Sequence, residues 1–385
     1  MASNSLLGLV ANRVVAELPF LHAKVLAPFM VNSDISQDPA KPGETAQIPF
    51  FGEKSVGSRT ASNVFTAPSA STVTSKNFTY DYNPFVDFAL EDTEAVKLNH
   101  GGFKQKEIQG CLIALANEIN KNVWATAEGV FYQAYGTAGT APFGTGVGIL
   151  SAAKAASLLD DEGAPDSNRY GVINGSALEN ARILDNFVHA NLAGSDQTLR
   201  KGKLGEVYNI MWDSDNKGLF YHTAGTLSDG ASMKGTLDGN HALGATEITI
   251  DSSTLTGTLK KGDIFTKAGD AQTYVVTADA TAVGNEITFT CSPGFRIAAL
   301  DGVLCTFIGS YQANLVFERD AIACKHAPLS WEMGTDPNIA NIRDPYTGWT
   351  FRLERQRQEG QTRWIIDVLY AAKALDGRRG MILLG

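Results

Sequence analysis

One stretch limits what this chain can become more than any other. From Phe103 to about Tyr135, apolar residues fall at Ile108, Cys111, Leu112, Leu115, Ile119, Val123, Val130 and Phe131. Lys104, Lys106, Glu107, Asn117, Glu118, Asn120, Lys121 and Asn122 stand between them, and no proline interrupts the run. That spacing predicts an amphipathic helix. At 1.5 Å per residue it would span roughly 50 Å, against a usual helix of about 11–12 residues. A rod of this length suits a spine that carries other elements. A coiled coil is the alternative, but the heptad register is uneven and Gly110 and Gly129 weaken it.

Upstream of the spine, Leu6, Leu7, Val10, Val14, Leu18 and Leu21 predict one or two amphipathic helices within Ser5–Phe29, with a break at Pro19. Asn32 to Thr45 is polar, contains Pro39 and Pro42, and reads as an extended arm. Gln47–Phe51 is a short strand, and Phe78 to Leu90 alternates loosely as another. Between them, Gly52–Asn77 is rich in Ser, Thr, Ala and Gly, too long for an ordinary loop inside a compact domain. The two strands predict a long projecting β-hairpin. Such a hairpin cannot bury its own faces, so it predicts a partner chain.

Downstream, the Gly-rich run Gly136–Gly148 leads to a helix over Gly148–Leu159, closed by Asp160-Asp-Glu-Gly163. Tyr170–Asn174 is a strand, Ser176–Asp185 a helix capped by Ser176 with Glu179 at its third position, and Gly205–Trp212 a strand. The alternation points to a mixed helix and sheet layer. From about Met233 to Ser310 the style changes to short β segments: Thr246–Ile250, Asp263–Lys267, Thr273–Thr277, Glu286–Thr290 and Val303–Ile308. The turns between them, Lys261-Gly262-Asp263 among them, predict a small barrel or sandwich inserted into the layer, which resumes at Gln312–Ala327. Thr350–Arg357, Glu359-Gly360 and Trp364–Tyr370 read as a closing hairpin, and Met381–Leu384 as a last strand.

The 385 residues allow about two to three domains. Charged residues are 19% and the net charge is −9, which disfavours a protein that grips nucleic acid by its backbone. The first residues lack the basic start of a secretion signal, and no run approaches the length of a membrane span. Cys111, Cys291, Cys305 and Cys324 form no CxxC pair; buried free thiols in a reducing compartment are expected.

Candidate chemistry is sparse. Gly144-Thr-Gly146-Val-Gly148 before a helix invites a phosphate-loop reading, because glycines let amides approach a pyrophosphate. It lacks a preceding apolar strand and the full GxGxxG, so a flexible joint is the expectation. Asp160, Asp161 and Glu162 could hold a hard cation, or simply end a helix. His22, His100, His189, His222, His241 and His326 are scattered, without HExxH. There is no GxSxG, and Gly202-Lys203 lacks the upstream glycine of a P-loop, which is Gln197 here. Arg352, Arg355, Arg357 and Arg363 could grip phosphate or pair along strand edges. Tyr80, Tyr82, Phe85 and Phe88 could stack bases, but no basic residues surround them. No catalytic, cofactor-binding or metal-ligating residue is assigned, and no enzyme is expected.

The order of elements resembles the major capsid proteins of tailed bacteriophages, the Hong Kong-type capsid fold. The closest branch is the one with an inserted β-domain, typified by the Salmonella phage coat protein. Four stretches carry the resemblance: Leu18–Leu26 with Gly43-Glu-Thr-Ala-Gln-Ile-Pro49; Leu259-Lys-Lys-Gly-Asp-Ile-Phe-Thr-Lys-Ala-Gly269; Asn314-Leu-Val-Phe-Glu-Arg-Asp-Ala-Ile322; and Trp349–Arg357 with Ile366-Asp-Val-Leu-Tyr370. It implies an α+β coat subunit divided into an N-terminal arm (1–46), an extended loop (47–96), a peripheral domain with the spine helix (97–147), an axial domain (148–222 and 311–344), the inserted β-domain (223–310) and a peripheral C-terminal hairpin (345–385). It implies further that the subunit forms pentamers and hexamers around double-stranded DNA held as non-specific cargo. A scaffolding protein, a portal and possible decoration proteins would be its partners, with assembly in the host bacterial cytoplasm and no membrane. Some relatives crosslink Lys to Asn, for which Lys54 or Lys76 would be the candidates. An encapsulin-like compartment, an enzyme with a β-barrel substrate domain and a carbohydrate-binding surface protein remain as other readings.

Overall fold

The computed structural model describes residues 4–22, 24–33, 42–51, 73–91, 103–144, 146–188, 204–328, 338–345, 347–358 and 360–385. Helix α1 (Asn4–His22) and the short α2 (Ala27–Met30) lie against α3 (Phe103–Ala125). α1 contributes Val10, Val14, Leu18 and Leu21 to the main core, the face its 3–4 spacing requires. Pro19 does not end this helix, contrary to the sequence reading. Pro19 and Val15 lie on the exposed side, where water can take the carbonyl the proline leaves unbonded, while Leu18 and Leu21 keep the helix seated.

The spine helix is also shorter than its apolar pattern: 23 residues, or about 35 Å. The amides of Thr126, Ala127 and Glu128 each bond only three residues back, to Val123, Trp124 and Ala125. Gly129 then takes φ +73° and the chain turns into strand β4 (Gln133–Tyr135). Ile119, Val123, Ala127 and Phe131 stay buried at four-residue spacing through that turn, so the pattern outruns the helix.

Strand β1 (Thr45–Phe51) pairs antiparallel with β2 (Val73–Thr79), from Thr45↔Thr79 to Phe51↔Val73. The predicted strand Phe78–Leu90 is two pieces. The chain leaves the ribbon after Thr79, passes Pro84, which has no amide to donate, and re-enters a different sheet as β3 (Phe85–Glu91). The arm at 34–41, the loop at 52–72 and Lys54 lie outside the described residues.

Helix α4 (Leu150–Asp161) precedes β5 (Arg169–Ile173). Helix α5 (Gly175–Arg182) is capped by Asn174, whose Oδ1 accepts from the Ala177 amide at 2.9 Å, two residues earlier than the Ser176 cap expected; α6 (Asp185–Val188) follows. The strand expected over Gly205–Trp212 is a hairpin, β6 (Gly205–Val207) and β7 (Ile210–Ser214), because Tyr208 and Asn209 both take positive φ, as a two-residue turn of the I′ kind requires. β8 (Tyr221–His222) leads into the insertion.

The insertion is a closed barrel. Its strands are β9 (Lys234–Leu237), β10 (Glu247–Asp251), β12 (Ile264–Lys267), β13 (Thr273–Val276), β15 (Glu286–Ser292) and β16 (Leu304–Phe307), ordered β10-β15-β13-β12-β16-β9. A small ribbon, β11 (Thr258–Leu259) with β14 (Ala280–Thr281), flanks it. Phe265 fills the centre against Tyr274, Phe289 and Phe307, with ring centroids 5.1–5.4 Å away.

Beyond it come β17 (Tyr311–Glu318), β18 (Ile322–His326), β19 (Ile339–Arg343), β20 (Thr350–Gln358), β21 (Gln361–Asp367), β22 (Tyr370–Ala374) and β23 (Gly380–Leu384). The central sheet runs β4-β23-β17-β5-β7-β6, with β8 beside β17. Its middle strands are apolar on both faces: Leu315, Phe317 and Ile382 enter the core under α3, while Val316, Met381 and Leu383 enter a second core under α4 and α5. A four-stranded sheet, β19-β20-β21-β3, forms the periphery, and β18 pairs with β22. The strand read as Trp364–Tyr370 therefore divides at Val368-Leu369, because Tyr370 belongs to that second pair and stacks on Tyr82 at 5.3 Å.

Candidate assembly surfaces

The β1–β2 ribbon is the element least able to stand alone, and the structure shows how its base is held. Phe78 and Tyr80 enter a small core with Ala323, Leu369, Ala371 and Leu375. Lys373 Nζ donates to the Asn77 carbonyl at 2.7 Å, and Lys76 Nζ to the Leu375 carbonyl. Lys76 is thus engaged at the ribbon base; burial, the largest influence, lowers its pKa. Two hydrogen-bonded strands with one end anchored make a lever whose far end needs other surface to rest on.

Arg352, Arg355 and Arg363 of the closing hairpin are engaged within their own sheet. Arg352 Nε donates to both carboxylate oxygens of Asp367 at 3.0 and 3.1 Å. Arg363 Nε reaches Asp87 Oδ2 across the β21–β3 seam at 2.6 Å, and Arg355 lies 5.9 Å over the Trp364 ring. These are cross-strand pairs that fix register. Of the four aromatics, Tyr80 and Phe88 are buried, Tyr82 is stacked on Tyr370, and Phe85 alone is largely exposed, on a strand of the peripheral sheet.

The remaining sequence candidates are also dispersed. Gly144–Gly148 forms the turn into α4, with Thr145 outside the described residues, as are His100, His189 and Gly202-Lys203. Asp160 pairs with Arg169 at 2.7 Å, which braces the acidic turn against β5. Burial pushes the thiols of Cys291 and Cys305 up to about 12 and that of Cys324 up as well, so these stay protonated and unreactive; all four cysteines are free. Among the described residues no three His, Cys, Asp or Glu side chains converge as a metal ion needs, and no helix is long and apolar enough to cross a membrane. A cleft of about 340 Å³ between barrel and body is lined by Tyr135, Thr137, Ser151, Thr266, Thr273 and Ile308, without a convergent acid or base.

What sequence reading missed are buried polar joints. Asn120, on the core side of α3, accepts from the Leu26 and Ala27 amides at 3.1 and 3.2 Å and donates to the Lys24 carbonyl at 2.9 Å, tying α2 to the spine. Trp124 Nε1 donates to Asp215 at 3.1 Å. His222 sits between Glu128 and Asp263, each 2.8 Å from one ring nitrogen. Nothing in the spacing of these residues marks them; only Asn120 and Trp124 lie in one patterned helix.

Besides Val15, Phe29, Phe85, Leu150 and Tyr221, exposed apolar side chains occur in two further places. Ile183, Tyr208 and Met211 lie at the α5 end and the β6–β7 hairpin, beside the open edge of the central sheet; Leu243, Val283 and Leu300 lie on the barrel. Edges and apolar patches of this sort are where chains meet.

No family model matches the sequence, and no curated protein matches it. Among solved structures, a chain from Mycobacterium phage Che8 is similar over 93% of this chain and 90% of its own, with TM-score 0.50 and 13% identity. A chain of the Cyanophage P-SCSP1u capsid is similar over 92% and 90% at TM-score 0.48 and 12% identity, and a virus-like particle chain from Pyrococcus furiosus over 96% and 96% at 0.45 and 6%. The first of these establishes a shared fold over nearly the whole length of both chains. The sequence resemblance implied a phage major-capsid fold, and the chain with which this fold is shared is a phage one.

Proposed function

We propose that this chain is a self-assembling shell subunit, the major capsid protein of a tailed bacteriophage, and that its role is structural. One observation carries the reading: nearly the whole chain follows the fold of a phage protein, with 93% and 90% of the two chains covered. The ribbon supports it physically, since among the described residues β1 and β2 pair as strands only with each other, and they continue into a segment too poor in apolar residues to build a core. In a shell, such an element gains its burial on a neighbouring copy, through large mutual interfaces. The net charge of −9 fits a wall that encloses DNA without gripping it.

In this reading residues 148–222 and 311–344 meet around the five-fold and six-fold positions, where Ile183, Tyr208 and Met211 supply apolar contact. Pentamers and hexamers, a scaffolding protein, a portal and decoration proteins are the proposed partners, and the virion, assembled in the host bacterial cytoplasm, the proposed location. The inserted barrel supports reading the chain as one of the branch with an extra β-domain. Electron microscopy of the purified protein tests the reading; closed shells are expected. Replacing residues 53–71 by a two-residue Asn-Gly turn keeps both paired strands and should leave a folded monomer that forms none. Shells of normal size from that variant refute the role given to the loop.

A further inference from the structure

The Lys260-Lys-Gly-Asp263 turn belongs to the barrel by sequence, yet it is embedded in the body. Asp263 is fully buried; its carboxylate accepts from the Lys260 amide at 2.7 Å, from the Gly225 amide at 3.2 Å and from His222 Nε2 at 2.8 Å. On the other side of the imidazole, Nδ1 stands 2.8 Å from Glu128 Oε1, in the turn that ends the spine helix. Gly262 takes φ +97° there, and a Cβ would come within 2.8 Å of Glu128 Cγ and 3.0 Å of the His222 ring. The Tyr311 hydroxyl donates to the Gly262 carbonyl at 3.1 Å, and its ring centroid lies 5.0 Å from that of His222.

His222 is 2% exposed and both its nitrogens face carboxylate oxygens. Only the doubly protonated ring can donate to both. Removing one partner of such a buried cluster leaves an uncompensated charge. The two linkers that join the barrel to the body meet beside it, where the Ala224 amide donates to Ser310 Oγ at 3.0 Å.

We propose that His222, held between Glu128 of the body and Asp263 of the barrel, is a charged latch that seats the barrel on the body, and that loss of its proton loosens this seat while the barrel itself stays folded. The groups around the ring are Glu128, Asp263 and Tyr311, with Lys260 and Lys261 on the turn; Asp279 accepts from the Lys261 amide at 2.8 Å. Burial by itself would favour the neutral ring, but hydrogen bonds with Asp263 and Glu128, and their charges, outweigh it and push the pKa up to about 9. That value lies above the ordinary 6.5, so the latch is fully stabilising below about pH 6.5 and is lost as pH rises through about 9. Ile264, Val275 and the Thr273–Ala134 hydrogen bond remain as the apolar and neutral part of the seat, so the barrel loosens without leaving.

Hydrogen exchange of the full-length chain between pH 7 and pH 10, corrected for the intrinsic rate, tests this. Protection of peptides covering 220–226 and 259–264 should fall roughly tenfold or more across that range, while peptides covering 247–251 and 286–292 in the barrel core stay protected. In His222→Gln the first set should be weakly protected at both pH values, with no step. In Glu128→Gln the step should move to lower pH. An unchanged profile in the wild type, simultaneous loss in the barrel core, or the same step in His222→Gln would each overturn the latch. Should His222→Gln not fold, an unmoved step in Glu128→Gln does so alone.

Discussion

His326 and His222 show how far one residue type can be driven in opposite directions by its surroundings. His326 is buried in β18, stacked on Trp349 at 5.5 Å, and its Nε2 makes no hydrogen bond among the described residues. Burial, with Arg343 and Lys325 nearby, lowers its pKa to about 4. The unfolded chain therefore takes up a proton at this residue below about 6.5 that the folded chain refuses until about 4, and stability falls as pH drops through that window. Replacing His326 by Phe, which keeps the stack on Trp349, should reduce the loss of stability between pH 7 and pH 5. Urea midpoints at the two pH values measure it, and an equal loss in both proteins counts against the assignment. Neither histidine stands in a sequence motif, because burial decides His326 and carboxylates from other elements decide His222.

At the scale of elements, the differences between expectation and structure are mostly differences of extent. The apolar spacing located α1, α3, the barrel strands other than β9 and the β20–β21 hairpin, because a repeat of 3.6 or 2 is written in consecutive residues. It misplaced their ends. α3 stops at Ala125 because the following turn suits Gly129 and the packing of Phe131, and α1 runs through Pro19 because Leu18 and Leu21 are worth more buried than one hydrogen bond is worth kept. Pro19 is a standing cost in that helix. Pro19→Ala should stabilise the chain by about 1–3 kcal/mol, the helix-interior penalty less the entropy that proline removes from the unfolded chain. Chemical denaturation reads it directly, and a destabilised variant would show that the proline shapes the helix against α3.

At the scale of the molecule, the insertion leaves and returns on neighbouring strands: His222 of β8 pairs with Tyr311 of β17. The barrel between them has its own closed sheet and its own aromatic core. A fragment covering residues 226–308 should therefore fold alone, giving a dispersed amide spectrum; a collapsed one would mean that the body is needed to shape it. The sequence by itself determined most of the elements and their order, including the inserted β-region and the paired strands beside the Ser/Thr-rich loop, since these depend on neighbours in the chain. Only the tertiary structure decided that Phe78–Leu90 serves two sheets, that Arg363 and Arg352 pair with Asp87 and Asp367, and that Glu128 and Asp263 close on His222. Those partners lie 94 and 41 residues from the histidine, and contacts over such separations are chosen by how the layers pack, for which no local periodicity carries a signal.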